Sequence, residues 1–315
     1  MKWRMTIAAT VAAQLVTFGS AHAQTVNNFG QYVLGASSGI YFTGGVAILK
    51  RSTPDYGAFI ASNPGSAPFL SANQLKFDWS AGFDGTIGFR IAPRHAFEVR
   101  YLQINSDAAN FFVSPGAFIG VGFTGPSGTR FNTTYETNFQ SWEFNWRYSH
   151  TDHLSILAGY RTISIRDGLR TKLNGNVATG FYDYKNSMQG AQIGLDWSVL
   201  PKANPFQINL IGKIGVLRNE MHGGINEFQA NNYIGGFHGR ARENVLVGEA
   251  GVTFGYRINN YVLLRAGYQI LVMEDVALAS NNAAGSLLNP SLLRTNVYQG
   301  TLVYQGANFG VTINW

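Results

Sequence analysis

Residues 77–91 read FDWSAGFDGTIGFRI, a stretch in which apolar residues or glycine alternate with polar residues or glycine. Phe83, Ile87 and Phe89 share one face with the other odd-numbered residues, whereas Asp84 and Arg90 share the opposite face. Alternation with a period of two predicts a β-strand, and fifteen residues exceed the usual five or six. A tilted strand needs about 9 to 11 residues to cross the hydrocarbon of a bilayer. The stretch therefore predicts a strand that crosses a membrane.

The composition excludes several classes of protein. The chain has 315 residues and no cysteine, so neither a disulfide framework nor a thiolate metal site can form. Only 13% of its residues are charged, about half the usual share for a soluble domain. The formal charge of +6 falls to +4 without Lys2 and Arg4, and no basic cluster indicates a nucleic-acid partner.

The first residues predict export across the inner membrane. Lys2 and Arg4 precede an apolar stretch at 7–18, and Ala21-His22-Ala23 has the small-x-small form of a cleavage site. We therefore expect a signal peptide at 1–23, an N-terminal periplasmic segment at 24–38 and a barrel at 39–315. A retained membrane anchor is the weaker alternative, because the apolar segment is short for a span of about 20 residues and Gln14 interrupts it.

The alternating pattern recurs along the chain with connections of two kinds. Ten strands are predicted, at 39–51, 77–92, 95–106, 134–149, 154–167, 187–200, 206–219, 242–258, 261–274 and 298–315. The tight connections are 93–94, 150–153, 201–205 and 259–260, and the long ones are 52–76, 107–133, 168–186, 220–241 and 275–297. Short turns on one side and long loops on the other are typical of an outer-membrane barrel. A soluble β-sandwich or propeller would have shorter strands and more surface charge.

The predicted fold class is an all-β, transmembrane, antiparallel up-and-down β-barrel with short periplasmic turns and long extracellular loops. An even number of strands places both termini in the periplasm, and the last strand ends on Trp315, which we expect to be an interfacial anchor. A count of twelve strands stays open, because 25–38 and 117–123 could each add one.

The polar face of each strand should line the lumen. The predicted lumen-lining residues are Asp84, Arg90, Arg100, Glu143, Arg147, Arg161, Gln192, Lys213, Glu249, Arg257 and Arg265. With Asp78, Glu98 and Asp196, the inward charges are six acidic against seven basic, which predicts pairing. Glu143 should pair with Arg161, and Lys213 with Glu249, across adjacent strands. Such pairs could plug the lumen or line a constriction that selects ions. Inward glycines could empty the lumen or make room for long neighbours.

No motif for catalysis or for a cofactor stands out. His222 and His238 fall in one predicted external loop without a flanking aspartate, so a rim hydrolase or a metal site is a weak hypothesis. The closely spaced glycines of GAFIGVGFTGPSG, at 116–128, lack the following helix that a phosphate-binding loop requires. The apolar residues of the predicted loop at 107–133 favour packing on the barrel mouth, with partner binding as the alternative. We expect no enzyme, no cofactor and no metal.

The second half of the chain resembles the beta-barrel porin-7 family of bacterial outer-membrane proteins. The matching stretches are NSMQGAQIGLDW (186–197), GKIGVLRN (212–219), VGEAGVTFGYRI (247–258), LLRAGYQILVMEDVALA (263–279) and QGANFGVTINW (305–315). The first half resembles the family mainly in layout, through ILAGYR (156–161) and the strand at 77–92. The resemblance implies a barrel in the outer membrane and implies no catalytic residues.

The sequence therefore predicts a porin-like protein of the outer membrane with a narrow lumen that passes ions or small solutes. The alternative is a non-conducting structural or surface-binding barrel that acts through its long extracellular loops. The partners expected for either are outer-membrane lipid and the barrel-assembly machinery, with an extracellular partner at the loops. The sequence does not define an oligomeric state.

Overall fold

The computed structural model describes residues 39–53, 58–62, 68–71, 74–113, 118–120, 124–125, 128–173, 178–201, 204–229, 232–288 and 297–314. The predicted signal peptide, the segment at 24–38 and Trp315 lie outside these ranges. Ten strands form the barrel: β1 (Gly39–Arg51), β4 (Trp79–Ala92), β5 (His95–Val113), β8 (Arg130–Ser149), β9 (Leu154–Leu173), β10 (Ala178–Ser198), β11 (Phe206–Gln229), β12 (Asn232–Arg257), β13 (Val262–Ala277) and β14 (Gln299–Asn314). No helix among the described residues is long and apolar enough to cross a membrane.

The barrel is closed, and its ten strands confirm the predicted fold. Neighbours in the chain pair antiparallel in the order β1-β14-β13-β12-β11-β10-β9-β8-β5-β4, and β4 pairs with β1. The ring closes where β1 meets β14, from Tyr41 opposite Asn314 to Arg51 opposite Tyr304. Phe118–Gly120, the described part of the segment at 117–123, belongs to a separate small sheet and not to the barrel, and the segment at 25–38 lies outside the described residues.

The two ends of the barrel differ. At one end, which we call the turn end, the connections 93–94, 150–153, 199–205 and 258–261 are short, and the barrel strands begin at Gly39 and finish at Asn314. Asn259 shows why the chain reverses there, since its Oδ1 accepts hydrogen bonds from the backbone N–H groups of Tyr261 (2.8 Å) and Val262 (2.9 Å). We call the opposite end the loop end.

An apolar belt surrounds the outside of the barrel near the turn end. On β11 the belt runs from Phe206 to Val216, which is eleven residues, and the next outward side chains are Arg218 and Glu220. On β8 it includes the exposed rings of Trp142, Phe144 and Trp146. This length matches the 9 to 11 residues that a tilted strand needs to cross hydrocarbon.

Six strands continue well beyond this belt at the loop end. They are β5, β8, β9, β10, β11 and β12, with 19, 20, 20, 21, 24 and 26 residues. Much of the predicted loops at 107–133, 168–186 and 220–241 is therefore strand, and the prediction of loops there was wrong. The reason is that alternation persists with polar residues outward and apolar residues inward, which suits a water-exposed sheet around its own core. We call this part the extension.

The interior of the extension is covered by a helix and a small sheet. Helix α1 (Ala279–Leu288) lies in the predicted loop at 275–297 and packs against β2, β9, β10 and β14. The sheet has the order β3-β2-β6-β7, from β2 (Ala58–Ser62), β3 (Pro68–Ser71), β6 (Phe118–Gly120) and β7 (Thr124–Gly125). Near the end of β13, Asp275 has a left-handed φ of 53° at an irregularity where the register with β14 shifts between Met273 and Val276.

Candidate functional site: the layered interior of the barrel

The interior of the barrel contains all eleven residues of the predicted lumen-lining set. Eight of them line a cavity of about 230 Å³ near the turn end: Asp84, Arg90, Arg100, Arg147, Lys213, Glu249, Arg257 and Arg265. The other three, Glu143, Arg161 and Gln192, are buried. Trp315 lies outside the described residues. The interior is arranged in layers, which are taken in order from the turn end.

The lowest ion pairs lie at the cavity mouth and centre on Arg147. Its Nε donates to Glu98 Oε1 at 2.7 Å and its Nη1 donates to Asp196 Oδ2 at 2.7 Å. Tyr41 also donates its hydroxyl to Glu98. The mouth therefore holds two carboxylates in contact with one arginine.

A cluster of charged side chains lies above the mouth, and Arg100 is one of its centres. Arg100 contacts both oxygens of Asp84, with Nε to Oδ1 at 2.9 Å and Nη2 to Oδ2 at 2.8 Å. Its Nη1 donates to Glu143 Oε1 at 3.1 Å and also to Glu249. A bidentate contact of this kind fixes the guanidinium in one orientation.

Both predicted cross-strand pairs are present in the same cluster. Arg161 lies opposite Glu143 on β8, with Nη2 3.6 Å from Oε1, and Lys213 lies opposite Glu249 on β12, with Nζ 3.3 Å from Oε1. The shorter contacts cross between these pairs, with Lys213 Nζ 2.8 Å from Glu143 Oε2 and Arg161 Nη1 2.9 Å from Glu249 Oε2. Gln192 donates to Glu143 at 2.9 Å. The prediction of pairing is confirmed, and the pairs form one network.

Two inward glycines make room for long neighbours. A Cβ on Gly194 would lie 2.9 Å from Lys213 Cγ, and one on Gly88 would lie 2.0 Å from Tyr41 Cζ. In both cases the neighbour on the next strand lies over the glycine. These positions support the second of the two roles expected for inward glycines.

The cavity below the cluster carries an excess of positive charge. Seven basic and four acidic side chains line it: Arg90, Arg94, Arg100, Arg147, Lys213, Arg257 and Arg265 against Asp84, Glu98, Asp196 and Glu249. Glu143 and Arg161 are buried behind this lining, and their opposite charges cancel. Turn residues such as Pro93 and Asn260 are part of the lining, so the cavity opens at the turn end.

An apolar layer fills the barrel above the charged cluster. On β9 the inward residues after Arg161 are Ile163 and Ile165, and on β1 the inward residues before Arg51 are Ala47 and Leu49. All of them are 0 to 2% exposed. They belong to one cluster: Ala47, Leu49, Leu102, Ile104, Phe139, Ile163, Ile165, Met188, Leu217, Val245, Val247, Leu271, Met273, Val276, Leu278, Leu302 and Tyr304. The expectation of polar residues along the whole lumen is wrong at this height. We call this layer the seal.

A second polar network lies above the seal and was not predicted. Arg51 Nη1 lies 3.1 Å from Asp167 Oδ1, and Asp167 accepts hydrogen bonds from Tyr135 and Thr137 at 2.6 Å each. Phe77 is buried with its ring 4.3 Å below the Arg51 guanidinium, so its expected place on the lipid face is wrong. Asp78, expected inward, is exposed. Arg51 and Asp167 are the last residues of two predicted strands, and the alternation within those strands places both on the inward face.

The same network holds the chain that enters the barrel before helix α1. Asp167 Oδ2 accepts a hydrogen bond from the Ala279 backbone N–H at 2.8 Å. Asn186 binds both backbone groups of Ala277, with its Nδ2 2.9 Å from the carbonyl oxygen and its Oδ1 2.8 Å from the nitrogen. An apolar cluster that includes Phe131, Ala279 and Ala283 packs around this segment. The segment thus closes the extension from inside.

The two histidines considered for chemistry lie on strands and not in a loop. His222 is on β11 opposite Arg240, and His238 is on β12 opposite Gly224. Both are exposed, and they alternate with inward residues such as Met221, so they face away from the interior. The nearby Glu220 pairs with Arg242 at 3.1 Å. Among the described residues, no group of three or more His, Cys, Asp or Glu side chains is arranged to hold a metal ion.

Comparison with known proteins relates the chain to others by fold alone. No family model matches it, and no curated protein sequence matches it. The outer-membrane protease OmpT from Escherichia coli is similar in structure, with a TM-score of 0.53 and 10% identity over 93% of this chain and 99% of that one. The translocator domain of the autotransporter NalP from Neisseria meningitidis (TM-score 0.37, 11% identity, 99% and 95% covered) is more distant. So is the outer membrane protein OprG from Pseudomonas aeruginosa (TM-score 0.29, 12% identity, 88% and 96% covered). The chain has the fold of an outer-membrane β-barrel.

Proposed function

We propose that the protein is an outer-membrane β-barrel whose lumen is closed to ions and solutes, and that it acts at the cell surface through its rigid extension. This is the non-conducting alternative, and porin-like conduction is the function against which it is tested. The observation that carries the proposal is the seal, whose side chains are almost fully buried across the barrel above the charged cluster. Ten strands enclose a narrow interior, since eight leave room only for side chains and open channels occur near sixteen.

The placement in the membrane rests on the apolar belt and on the predicted export signal. The belt has the length required for hydrocarbon, and the extension above it has a polar exterior and an apolar core, as expected of a part that stands in water. The turn end then faces the periplasm and the extension faces the cell exterior. The belt contacts outer-membrane lipid, the barrel-assembly machinery inserts the chain, and the extension contacts an extracellular partner. The fold shared with the outer-membrane protease OmpT agrees with this placement.

The protein acts without catalysis in this proposal. The side chains of His222 and His238 face outward and do not line a shared pocket in the barrel interior. Glu220 beside them forms an ion pair with Arg242. An activity assay on the variant His222→Ala/His238→Ala tests this point. Loss of a hydrolytic activity present in the parent protein would reject it.

Single-channel recording in planar lipid bilayers tests the closed lumen. The refolded mature protein should give no discrete current steps, whereas Phe139→Ala/Ile165→Ala/Tyr304→Ala in a background that lacks residues 279–288 should conduct, because both the helix that closes the extension and three side chains of the seal are then removed. The matched control in the same background, Phe144→Ala/Ile193→Ala/Tyr268→Ala, removes the same residue types from the lipid-facing belt and should stay silent. Reproducible steps from the parent protein, with an ion preference that changes in Arg161→Gln, would instead establish a porin.

Single cysteines test the orientation, because the chain has none of its own. Arg166→Cys is on the outside of the extension and Asn260→Cys is at the turn end, and both positions are exposed. A membrane-impermeant maleimide should label only Arg166→Cys on intact cells and both variants after permeabilisation. Labelling of Asn260→Cys alone on intact cells would reverse the proposed orientation.

A further inference from the structure

Two arginines of the turn-end cavity have no partner within the described part of the chain. Arg90 on β4 and Arg265 on β13 line the cavity, and neither forms a hydrogen bond or an ion pair with a described residue. The exposed side chain of Arg94, in the turn at 93–94, also forms no such contact with a described residue, whereas the other charged side chains of the lining are engaged. A guanidinium has five N–H donors and keeps its charge at any physiological pH, so these two donor sets face the cavity unused.

The neighbours of these arginines on adjacent strands explain why they are free. Arg265 lies between Gly255 on β12 and Gly310 on β14, and Arg90 lies between Gly39 on β1 and Ala96 on β5. None of these four residues has a polar side chain that could accept a hydrogen bond. The guanidinium groups are therefore free to donate hydrogen bonds to a molecule that occupies the cavity.

The acidic groups that act on Arg265 are already bound by other arginines. Asp84 and Asp196 are the carboxylates that act on it electrostatically, and they are bound at 2.7 to 2.9 Å by Arg100 and Arg147 respectively. The N-terminal segment at 24–38 contains no Asp or Glu, so its side chains cannot supply the missing charge. The barrel wall separates the cavity from bilayer lipid, and the cavity opens at the turn end, so a counter-charge can reach it there from the aqueous phase.

We propose that this cavity binds small soluble anions carrying carboxylate or phosphate groups, and that the unpaired guanidinium groups of Arg90 and Arg265 are the side chains that contact them. Planar guanidinium groups contact such oxyanions through paired hydrogen bonds, and the excess of three positive charges in the lining adds attraction. The volume of about 230 Å³ suits a small molecule and not a polymer segment. The hydroxyls of Thr43 and Thr312, bonded to each other at 2.8 Å in the same lining, are further polar groups for the ligand. The site lies below the seal, so it exists whether or not the barrel conducts.

Calorimetric titration of the refolded protein in a non-ionic detergent tests the site with two probes, pyrophosphate and citrate. At least one probe should bind saturably to the parent protein, and Arg90→Gln/Arg265→Gln should bind it at least about tenfold more weakly, since one hydrogen bond to a charged group is worth about a factor of ten. The control Arg166→Gln/Arg218→Gln removes the same charge from exposed positions on the outside and should bind as the parent does. Equal weakening in both variants, or no binding of either probe, would overturn the proposal.

A second measurement compares how fast anionic and cationic thiol reagents enter the cavity, so its main result does not depend on the choice of ligand. Thr86 lines the cavity on the same face of β4 as Arg90, and Thr86→Cys provides a single thiol there. A sulfonate-bearing methanethiosulfonate should modify it faster than a trimethylammonium-bearing one, by about tenfold or more, because a positive cleft concentrates anions. The preference should be lost in Thr86→Cys/Arg90→Gln/Arg265→Gln, and pyrophosphate or citrate should slow the reaction in the parent background. Equal rates for the two reagents in Thr86→Cys would contradict a site for anions.

Discussion

Arg51 and Asp167 form an ion pair across the barrel, although their strands β1 and β9 are not neighbours. The atoms Nη1 and Oδ1 are 3.1 Å apart, and both side chains are fully buried. The guanidinium carbon lies 4.3 Å from the ring centre of Phe77 and 4.5 Å from that of Tyr135, and these two rings pack against each other with their centres 5.1 Å apart. Asp167 also binds the backbone of Ala279, so this pair joins the wall of the extension to the segment that fills it.

Replacement of Asp167 should therefore destabilise the protein strongly. Asp167→Ala leaves Arg51 as a buried charge without a counter-ion, for which about 3–5 kcal/mol of the free energy of unfolding is expected to be lost. Urea unfolding in lipid vesicles, followed by tryptophan fluorescence, measures the change.

Two further variants give this prediction its controls. Asp183→Ala removes an exposed aspartate from the same extension and should change stability by no more than about 0.5 kcal/mol. Arg51→Met/Asp167→Leu replaces both charges by apolar side chains and should recover most of the loss. If Asp167→Ala were no more harmful than Asp183→Ala, the pair would not hold the extension together.

The strands within the belt could be predicted from sequence because water and lipid lie on opposite sides of the wall. That contrast imposes strict alternation, and the predicted bounds at 39–51 and 95–106 begin at the observed residues. Pairing of Glu143 with Arg161 followed from their equal distance to one turn. These features depend only on local periodicity and on counting.

The closure of the lumen could not be predicted in the same way. The residues of the seal, such as Ile163 and Ile165, are apolar on the inward face, and sequence alone does not say that nine of the ten strands bring them together. Helix α1 has the composition ASNNAAGSLL, whose Ser, Asn and Gly are typical of a loop. Its position is set by Asp167 and Asn186, which are distant in sequence.

The charged cluster should respond to its total charge more than to any single pair. It contains three acidic and three basic side chains, so Glu143→Ala alone leaves an unbalanced positive charge. We expect this variant to be less stable than either Glu143→Ala/Arg161→Ala or Glu143→Ala/Lys213→Ala, both of which restore balance. Double-mutant cycles on the free energy of unfolding provide the measurement.

The two cycles should also differ from each other. Lys213 lies 2.8 Å from Glu143 and Arg161 lies 3.6 Å from it, so the coupling energy with Lys213 should be the larger, within the range of about 0.5–3 kcal/mol for contacting residues. A larger coupling with Arg161 would contradict the arrangement of the cluster.

The left-handed backbone at Asp275 should restrict which residues that position tolerates. Its φ of 53° is costly for β-branched side chains and natural for glycine. Asp275→Val should therefore lower the free energy of unfolding by about 1–2 kcal/mol, while Asp275→Gly should be neutral or slightly favourable. The matched control is Asp183→Val, on the exposed face of β10, where a strand accepts valine well. Equal effects of valine at both positions would show that the irregularity in β13 does not depend on this conformation.

The apolar belt should be sensitive to charge according to depth. Ile193 lies in the middle of the belt on β10, and Gln189 lies at its loop-end edge, with both side chains facing outward. Ile193→Arg should cost about 2–4 kcal/mol in lipid vesicles because the charge is placed near the centre of the hydrocarbon, whereas Gln189→Arg should cost about 0–1 kcal/mol. Urea unfolding of the two variants in the same vesicles compares them directly, since each introduces the same side chain on the same strand. Similar costs at both positions would mean that the belt does not lie in the hydrocarbon, and the membrane placement of the barrel would have to be abandoned.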